Sequence, residues 1–137
     1  MDIQLFTQTL IRMAAAFALA LPVGWERERA DRSAGLRTFP LVAVAACAYI
    51  LLASATFDDA RAQARVLEGV ITGVGFLGGG AILKDTDRVR GTATAASIWA
   101  TAGIGASAGY ARYDIALLLS LVCLATLRLL LPLKHEQ

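Results

Sequence analysis

Residues that commonly carry catalytic chemistry are scarce in this sequence. Its 137 residues include a single histidine, His135, and two cysteines, Cys47 and Cys123, which lie in separate apolar runs. No nucleophile with a partner base is visible, and the cysteines lack the CxxC spacing of a metal or redox pair. The sequence therefore predicts a protein that is not an enzyme and that uses its cysteines as small buried apolar side chains.

Charged residues are also few, at 18% of the chain, and the formal net charge is only +2. A nucleic-acid-binding domain has a basic stripe, often with interleaved aromatic residues, and this sequence has none. Hydrophobic residues make up 57% of the chain, and the mean hydropathy is +0.59. Because the charges cluster between apolar runs of about 20 residues, the length that crosses a bilayer core, the pattern predicts an integral membrane protein.

The apolar runs predict five membrane-spanning helices, because a helix satisfies its backbone hydrogen bonds internally when lipid surrounds it. The expected fold class is an all-α, polytopic membrane helix bundle. Helix-ending residues such as Gly24, Pro40 and Gly91 separate the runs. The predicted spans cover residues of about 3–24, 38–57, 66–84, 92–111 and 113–133.

The distribution of cations predicts how these helices are oriented. One side of the predicted bundle carries four arginines after span one, three cations after span three and Lys134 at the C-terminus. The other side carries only Arg61, Arg65 and Arg112. By the positive-inside rule, the N-terminus is expected outside and the C-terminus in the cytoplasm.

The third span contains GVGFLGG, which has the GxGxxG spacing of dinucleotide-binding proteins. That fingerprint requires a preceding strand and an acidic residue about 20 positions later, where this chain has Ile98. A nucleotide site is therefore not expected. Two interpretations stay open: glycines that let helices pack closely, or a loosened helix at 78–80 that lines a site. The packing interpretation covers Gly69, Gly73, Gly75, Gly78, Gly79, Gly80, Gly105 and Gly109.

The fourth span is also rich in small residues. Thr94, Ser97, Thr101, Gly105 and Ala108 lie near one helical face. Small residues allow helix backbones to approach closely in lipid. Spans three and four are therefore expected inside the bundle, with spans one, two and five facing lipid.

Ionisable residues within or beside apolar runs mark candidate functional positions, because a charge in hydrocarbon costs about 2.5–3.5 kcal/mol unless it is paired or hydrated. Arg12 lies mid-span and is expected to bind a cytoplasm-facing carboxylate or unwound glycine carbonyl groups. Glu68 and Arg128 lie near span ends, where they can reach the headgroups. The wider candidate polar cluster comprises Arg12, Glu26, Arg27, Glu28, Arg37, Thr38, Asp85, Arg90, Thr94 and Trp99.

Carboxylates on the predicted cytoplasmic side have two interpretations. Glu26 in one charged segment and Asp85 and Asp87 in the other could hold Mg²⁺, which is usually bound by one or two carboxylates and several waters. Interleaved charges such as ERERADR also form solvated helix ends with local ion pairs. The sequence therefore requires no cofactor, and Mg²⁺ is a candidate ligand.

Two motifs occur in a fixed order: GWERERADRSAGLRT after the first span, and GVGFLGGGAILKDTDRVRGTATAASIWATAGIG across spans three and four. Their sequence and spacing resemble the MgtC/SapB family of bacterial inner-membrane proteins. The resemblance covers nearly the whole chain. The residues that match by position are Gly24, Glu26, Arg27, Gly35, Leu36, Arg37, Thr38, Gly75, Phe76, Gly78, Gly80, Asp85, Val89, Gly91, Thr94, Ala95, Ala96 and Trp99.

The resemblance implies a multi-pass protein of the bacterial inner membrane that is linked to magnesium limitation and, in some pathogens, to survival inside host cells. It implies action on other membrane proteins, ATP synthase among them, rather than established magnesium transport. Virulence-type members carry a soluble C-terminal domain, whereas this chain ends at Gln137. A membrane domain alone is therefore expected over residues 1–137. Thr92 stands where such proteins commonly have leucine.

Three functional hypotheses follow. The first is a non-enzymatic membrane protein that supports magnesium or stress homeostasis by binding other inner-membrane proteins through its helices. The second is a transporter or channel for Mg²⁺ or another cation, which five spans could form only as a homo-oligomer assembled through the GxxxG pairs. The third is a structural subunit with solvated charged loops. Each places the chain in a lipid bilayer, with neither nucleic acid nor nucleotide as a partner.

The two motifs are also expected to touch. Both charged segments lie on the same predicted side of the membrane, and close packing of spans one, three and four would bring them together.

Overall fold

The computed structural model describes residues 2–30, 34–84 and 89–130, with residues 83 and 84 described by their backbone alone. The all-α fold class predicted from the sequence is confirmed, since helices account for nearly all of the regular structure. The described residues form five helices: α1 (Ile3–Arg29), α2 (Thr38–Thr56), α3 (Ala60–Gly80), α4 (Thr92–Gly109) and α5 (Tyr113–Leu129).

A short strand pair that the sequence analysis did not predict joins α3 to α4. β1 (Leu83–Lys84) and β2 (Val89–Arg90) are antiparallel, with Leu83 opposite Arg90. The third helix accordingly ends at Gly80 rather than at residue 84, and it begins six residues earlier than predicted. Two helices of the described residues, α1 and α2, are long and apolar enough to cross a membrane by length and composition.

Acidic side chains cap the N-termini of α1 and α3. Asp2 Oδ1 accepts a hydrogen bond from the backbone N–H of Gln4 at 3.0 Å. Asp59 Oδ1 accepts a hydrogen bond from the backbone N–H of Arg61 at 3.2 Å. A carboxylate at this position satisfies a free N–H group and interacts favourably with the helix dipole, so both starting points are encoded locally.

α4 is the central helix and packs against each of the other four helices. Its buried face consists largely of small residues, and its hydroxyl groups bond within the helix: the Thr101 hydroxyl donates to the Ser97 carbonyl at 2.7 Å. Such internal bonding lets polar side chains lie in an apolar interior without needing water. The small-residue face predicted for span four is therefore a buried helix–helix contact surface.

Two glycines bring the backbone of α4 into contact with α2. A Cβ atom added at Gly105 would lie against the carbonyl oxygen of Ala43, and one added at Gly109 would lie 2.8 Å from Ile50 Cβ. A third glycine joins α3 to α4, because a Cβ at Gly78 would lie 3.1 Å from the carbonyl oxygen of Ala95. These three positions have the close packing that the sequence predicted.

The remaining glycines of the predicted packing set face open space. Added Cβ atoms at these positions, all on α3, would meet nothing within 4 Å: Gly69, Gly73, Gly75, Gly79 and Gly80. In the described part of the chain no other helix lies in close contact with these five glycines, and their role in helix packing stays a prediction. α3 lies at the periphery with only Val74 and Gly78 buried, whereas α2, which was expected to face lipid, buries eight of its 19 residues and exposes others such as Leu41 and Leu52. The helix also continues to Gly80, so the loosened segment at 78–80 is not observed.

Small side chains fill the space between α1, α2 and α4. Ala16 and Ala20 of α1, Ala43 and Cys47 of α2, and Ala108 of α4 form one cluster, each with no exposed surface. Interiors packed in this way leave no room for an extra methyl group without displacement of the backbone. The bundle is therefore closed along this seam.

Replacing Gly105 with alanine tests the contact between α4 and α2. The added methyl group would press on the carbonyl of Ala43, and overpacking of this kind typically costs about 1–3 kcal/mol. The matched control is Gly75→Ala, which faces open space and gains helix propensity. Thermal unfolding in detergent micelles should show a lower midpoint for Gly105→Ala only. Equal midpoints for the two variants would contradict the packing described here.

Candidate functional site

The two ends of the bundle carry different chemistry. We call the end where α1 finishes and α2 and α4 begin the motif end, because it carries both sequence motifs. The other end, where α1 begins and α4 finishes, is called the opposite end. α1 and α5 both run from the opposite end toward the motif end. Their contacts show this, since Ser120 bonds to Leu19 and, further along both helices, Arg128 bonds to Glu26.

The two glutamates of the first motif both accept hydrogen bonds. Glu26 Oε2 accepts a hydrogen bond from Arg128 Nε at 2.7 Å, and the glutamate side chain is only 14% exposed. Glu28 Oε2 accepts from the backbone N–H of Leu36 at 3.1 Å, which ties the end of α1 to the start of α2. Arg128, interpreted from the sequence as reaching for headgroups, is instead the partner of Glu26.

Arg27 is buried inside the motif end, with 3% of its surface exposed. Removing a guanidinium group from water is unfavourable unless partners compensate for the lost hydration. Arg27 therefore lies in the interior of the bundle and is not part of a solvated helix end. In the sequence it stands between Glu26 and Glu28. Periodicity alone could not have shown this burial, because its neighbours Glu26, Glu28 and Arg29 are also charged.

The other described members of the predicted polar cluster differ in exposure. Arg37, Arg90 and Trp99 are exposed, and Thr38 is half-buried. Thr94 is buried in α4. Asp85 lies outside the described residues, as does Asp87. The two motifs meet through apolar side chains, because Ala34 of the first motif shares a core cluster with Val74 and Ile98 of the second.

The route by which the motifs meet differs from the prediction. α3 packs against α2 and α4, and across the described residues it makes no extended contact with α1. A contact between Glu26 and Asp85 stays a prediction. Within residues 2–30, 34–84 and 89–130, no group of three or more His, Cys, Asp and Glu side chains could hold a metal ion. Binding of Mg²⁺ thus also stays a prediction.

Arg12 caps the end of α4. Its Nη1 atom donates a hydrogen bond to the carbonyl oxygen of Gly109, the last residue of that helix, at 2.9 Å. The carbonyl is free to accept it because the helix closes in a Schellman motif, in which Arg112 N bonds to the Ser107 carbonyl and Ala111 has a positive φ of 57°. The cation also faces the negative end of the helix dipole. The observed partner is thus a glycine of α4, not an unwound glycine of the third span.

Arg12 lies at the edge of a charge-free belt. Residues 13–25 of α1 and 115–127 of α5 contain no charged side chain, and the belt is closed at the motif end by the pair of Glu26 and Arg128. A helical segment of this length rises about 20 Å, less than the roughly 30 Å of a bilayer core. In the packed bundle Arg12, which lies within the candidate membrane-spanning helix α1, is level with the end of α4.

An exposed ion pair lies at the same end of the belt. Arg112 donates two hydrogen bonds to Asp114, at 3.0 and 2.8 Å. These bonds raise the pKa of the Arg112 guanidinium above its ordinary value. Both side chains are mostly solvent-accessible, so the pair contributes little to stability but marks a polar rim.

One interhelical hydrogen bond was not predicted from the sequence. The Ser120 hydroxyl of α5 donates to the Leu19 carbonyl of α1 at 2.7 Å. A lone serine within the apolar run of residues 115–127 is the signal that could have indicated it, because a hydroxyl in lipid seeks a carbonyl partner.

These features define a small all-α protein with largely apolar helices and a polar rim at each end. Comparison with known proteins assigns its family: the MgtC family profile matches residues 13–136. Protein MgtC of Salmonella typhimurium is 37% identical over 115 residues, covering 84% of this chain and 49% of the relative. Protein MgtC of Brucella abortus is 38% identical over 121 residues, covering 88% of this chain and 50% of the relative. The chain belongs to the MgtC family.

A protein of Synechocystis is similar too, with 36% identity over 129 residues that cover 94% of this chain and 55% of the relative. The chain thus spans about half the length of the curated relatives it matches. No solved structure matches it.

Replacing Arg12 with glutamine tests its role as a helix cap. The amide is neutral and shorter, so the carbonyl of Gly109 should lose a charged partner, at a cost of about 1–2 kcal/mol in the free energy of unfolding. Arg61→Gln, at an exposed position of the same end, should stay within about 0.5 kcal/mol of the wild type. Thermal unfolding in micelles measures both, and an equal loss in the two variants would refute the cap.

Proposed function

We propose that this chain is a multi-pass protein of the bacterial inner membrane that supports growth under magnesium limitation by binding another membrane protein through α3. It acts without catalysis and without a resident cofactor. The observation that carries the proposal is the open glycine face of α3, which has space beside it that no residue of the described chain fills. The link to magnesium rests on the chain's membership of the MgtC family, since its resemblance to that family implies a role under magnesium limitation.

Exposed apolar side chains support the membrane placement. Phe76 is 83% exposed and Leu129 is 71% exposed, and many other large apolar residues also lie on the surface. Soluble proteins rarely expose apolar surface of this extent, whereas lipid accommodates it. All five helices are proposed to cross the bilayer, with the cation-rich motif end in the cytoplasm.

The groove beside α3 has the dimensions and the lining of a helix-binding site. It lies between α2 and α3, encloses about 550 Å³, and is bordered by Gly69 and Gly73 on one wall and by Ala45, Ala46 and Tyr49 on the other. Glycines spaced four residues apart let a second helix approach to backbone contact, which is how helices associate in lipid. We therefore assign the groove to a transmembrane helix of a partner protein.

The interior of the bundle supports a binding role over a pore in the single chain. The seam between α1, α2 and α4 is filled by fully buried small side chains, and the hydroxyls of Ser97 and Thr101 bond to carbonyls of their own helix. An ion pathway needs polar groups directed at a shared space. The described part of the bundle has no such space along this seam.

A second candidate function uses the same face. If the helix in the groove belonged to another copy of this chain, the resulting homo-oligomer could form a path for Mg²⁺ or another cation between subunits. The open GxxxG pair at Gly69 and Gly73 is equally consistent with binding of a partner protein and with assembly of a homo-oligomer. Ion flux from the purified protein in liposomes distinguishes them, since only the transporter moves Mg²⁺.

Growth in low magnesium tests the role of the groove. In a bacterium that lacks its own family member, Gly73→Leu at wild-type membrane levels should fail to rescue growth, because Gly73 lines the groove and a Cβ atom there meets nothing within 4 Å in the described chain, so the larger side chain occupies the groove. Gly75→Leu carries the same change on another open position of α3 and should rescue growth as well as the wild type.

Rescue by Gly73→Leu equal to that by Gly75→Leu would contradict the groove as the functional surface. Reproducible Mg²⁺ flux through the wild-type chain in liposomes would instead replace the binding function with the transporter.

A further inference from the structure

We propose that the opposite end of the bundle carries a binding site for a phosphate group, in the pocket between α1 and α2 where Arg12 lies. This site is separate from the α3 groove and does not depend on the function proposed above. The pocket encloses about 160 Å³ and is lined by Leu5, Gln8, Thr9, Arg12, Leu51, Ser54 and Ala55.

The pocket exists because two helices extend past the end of a third. α4 ends at Gly109, beside Ile50 of α2 and bonded to Arg12 of α1. α1 continues beyond this level to Ile3, and α2 continues beyond it to Thr56. The overhanging turns form two walls, and the guanidinium group lies between them.

Arg12 is held in place with most of its donors unused. A guanidinium group has five N–H donors. In the described part of the chain, Arg12 makes one hydrogen bond, to the Gly109 carbonyl. The remaining donors form a fixed fork, the arrangement that binds phosphate and carboxylate oxygens. Arg112 at the same end differs, because its donors are already engaged by Asp114.

The remaining lining residues favour an anion with several oxygen atoms. Thr9 and Ser54 supply hydroxyl donors and Gln8 supplies an amide donor, while Arg12 is the one charged residue in the pocket lining. The pocket is therefore positive, and a cation would be repelled. Since a water molecule takes about 30 Å³ in the liquid, a volume of 160 Å³ holds a phosphate group with its remaining hydration.

A phosphate group can reach this pocket from two sources. If the helices span a bilayer, Arg12 at the edge of the charge-free belt lies just inside the hydrocarbon core, because the belt is shorter than that core, and its long side chain can reach the headgroup level. Leu5 and Leu51 would then contact the first carbons of a lipid chain, so an anionic phospholipid could supply the group. Inorganic phosphate could enter from the aqueous side and make the same hydrogen bonds.

The test uses the full chain in nanodiscs of phosphatidylcholine, titrated with inorganic phosphate, and in a second series of nanodiscs that contain phosphatidylglycerol. Thermal unfolding midpoints and calorimetric titration report binding, with sodium chloride at matched ionic strength as the control. We expect phosphate or phosphatidylglycerol to raise the midpoint of the wild type. Ser54→Leu, which fills the pocket but leaves Arg12 and Gly109 in place, should weaken that binding at least tenfold.

Thr9→Val removes one hydroxyl donor with almost no change in shape and should weaken binding by a few-fold, which covers the case in which Ser54→Leu fails to fold. Arg61→Gln, at an exposed cation outside the pocket, should bind as the wild type does. A response to inorganic phosphate identifies a free anion as the ligand, and a response to phosphatidylglycerol alone identifies the lipid. No response to either, or a response that persists unchanged in both pocket variants, would overturn the site.

Discussion

α4 can occupy the centre of five helices only because Gly105 and Gly109 remove the side chains between it and α2. In lipid, apolar surface is not driven together by water, so helix association depends on close contact and on interhelical hydrogen bonds. The backbones of α4 and α2 are in close contact at these glycines. The interhelical hydrogen bond is the one that Arg12 of α1 donates to the end of α4. The same arrangement leaves α3 at the periphery with one glycine face unoccupied.

The charged ends follow from this packed centre. At the motif end, Glu26 is paired with Arg128, and Arg27 is buried between the helices. At the opposite end, Arg12 closes α4, and the overhanging turns of α1 and α2 enclose a positive pocket. Glu26 and Arg27 of the first motif therefore contribute to the packed structure. The α3 groove at the side and the pocket beside Arg12 are both open to a partner in the described part of the chain.

Much of the fold was predictable from the order of apolar runs and charged segments, because several helix boundaries have a local signal, such as Asp2, Asp59 or Gly91. Which glycines pack was not predictable. GxxxG spacing is the same at Gly69/Gly73 and at Gly105/Gly109, yet only the second pair faces another helix of the chain. The partner of Glu26 was equally hidden, since it lies 102 positions away in sequence. The packing of the glycines and the pairing of Glu26 both depend on contacts between distant parts of the chain, which local sequence patterns do not predict.

The open face of α3 is proposed to bind a transmembrane helix of a partner protein. Photo-crosslinking in living cells can detect this contact, with a photoreactive amino acid at position 73 or at position 75, both of which face open space in the described chain. We expect a discrete higher-mass product from position 73, in the groove, and none from position 75. Equal products from both positions, or none from position 73, would contradict the proposed contact.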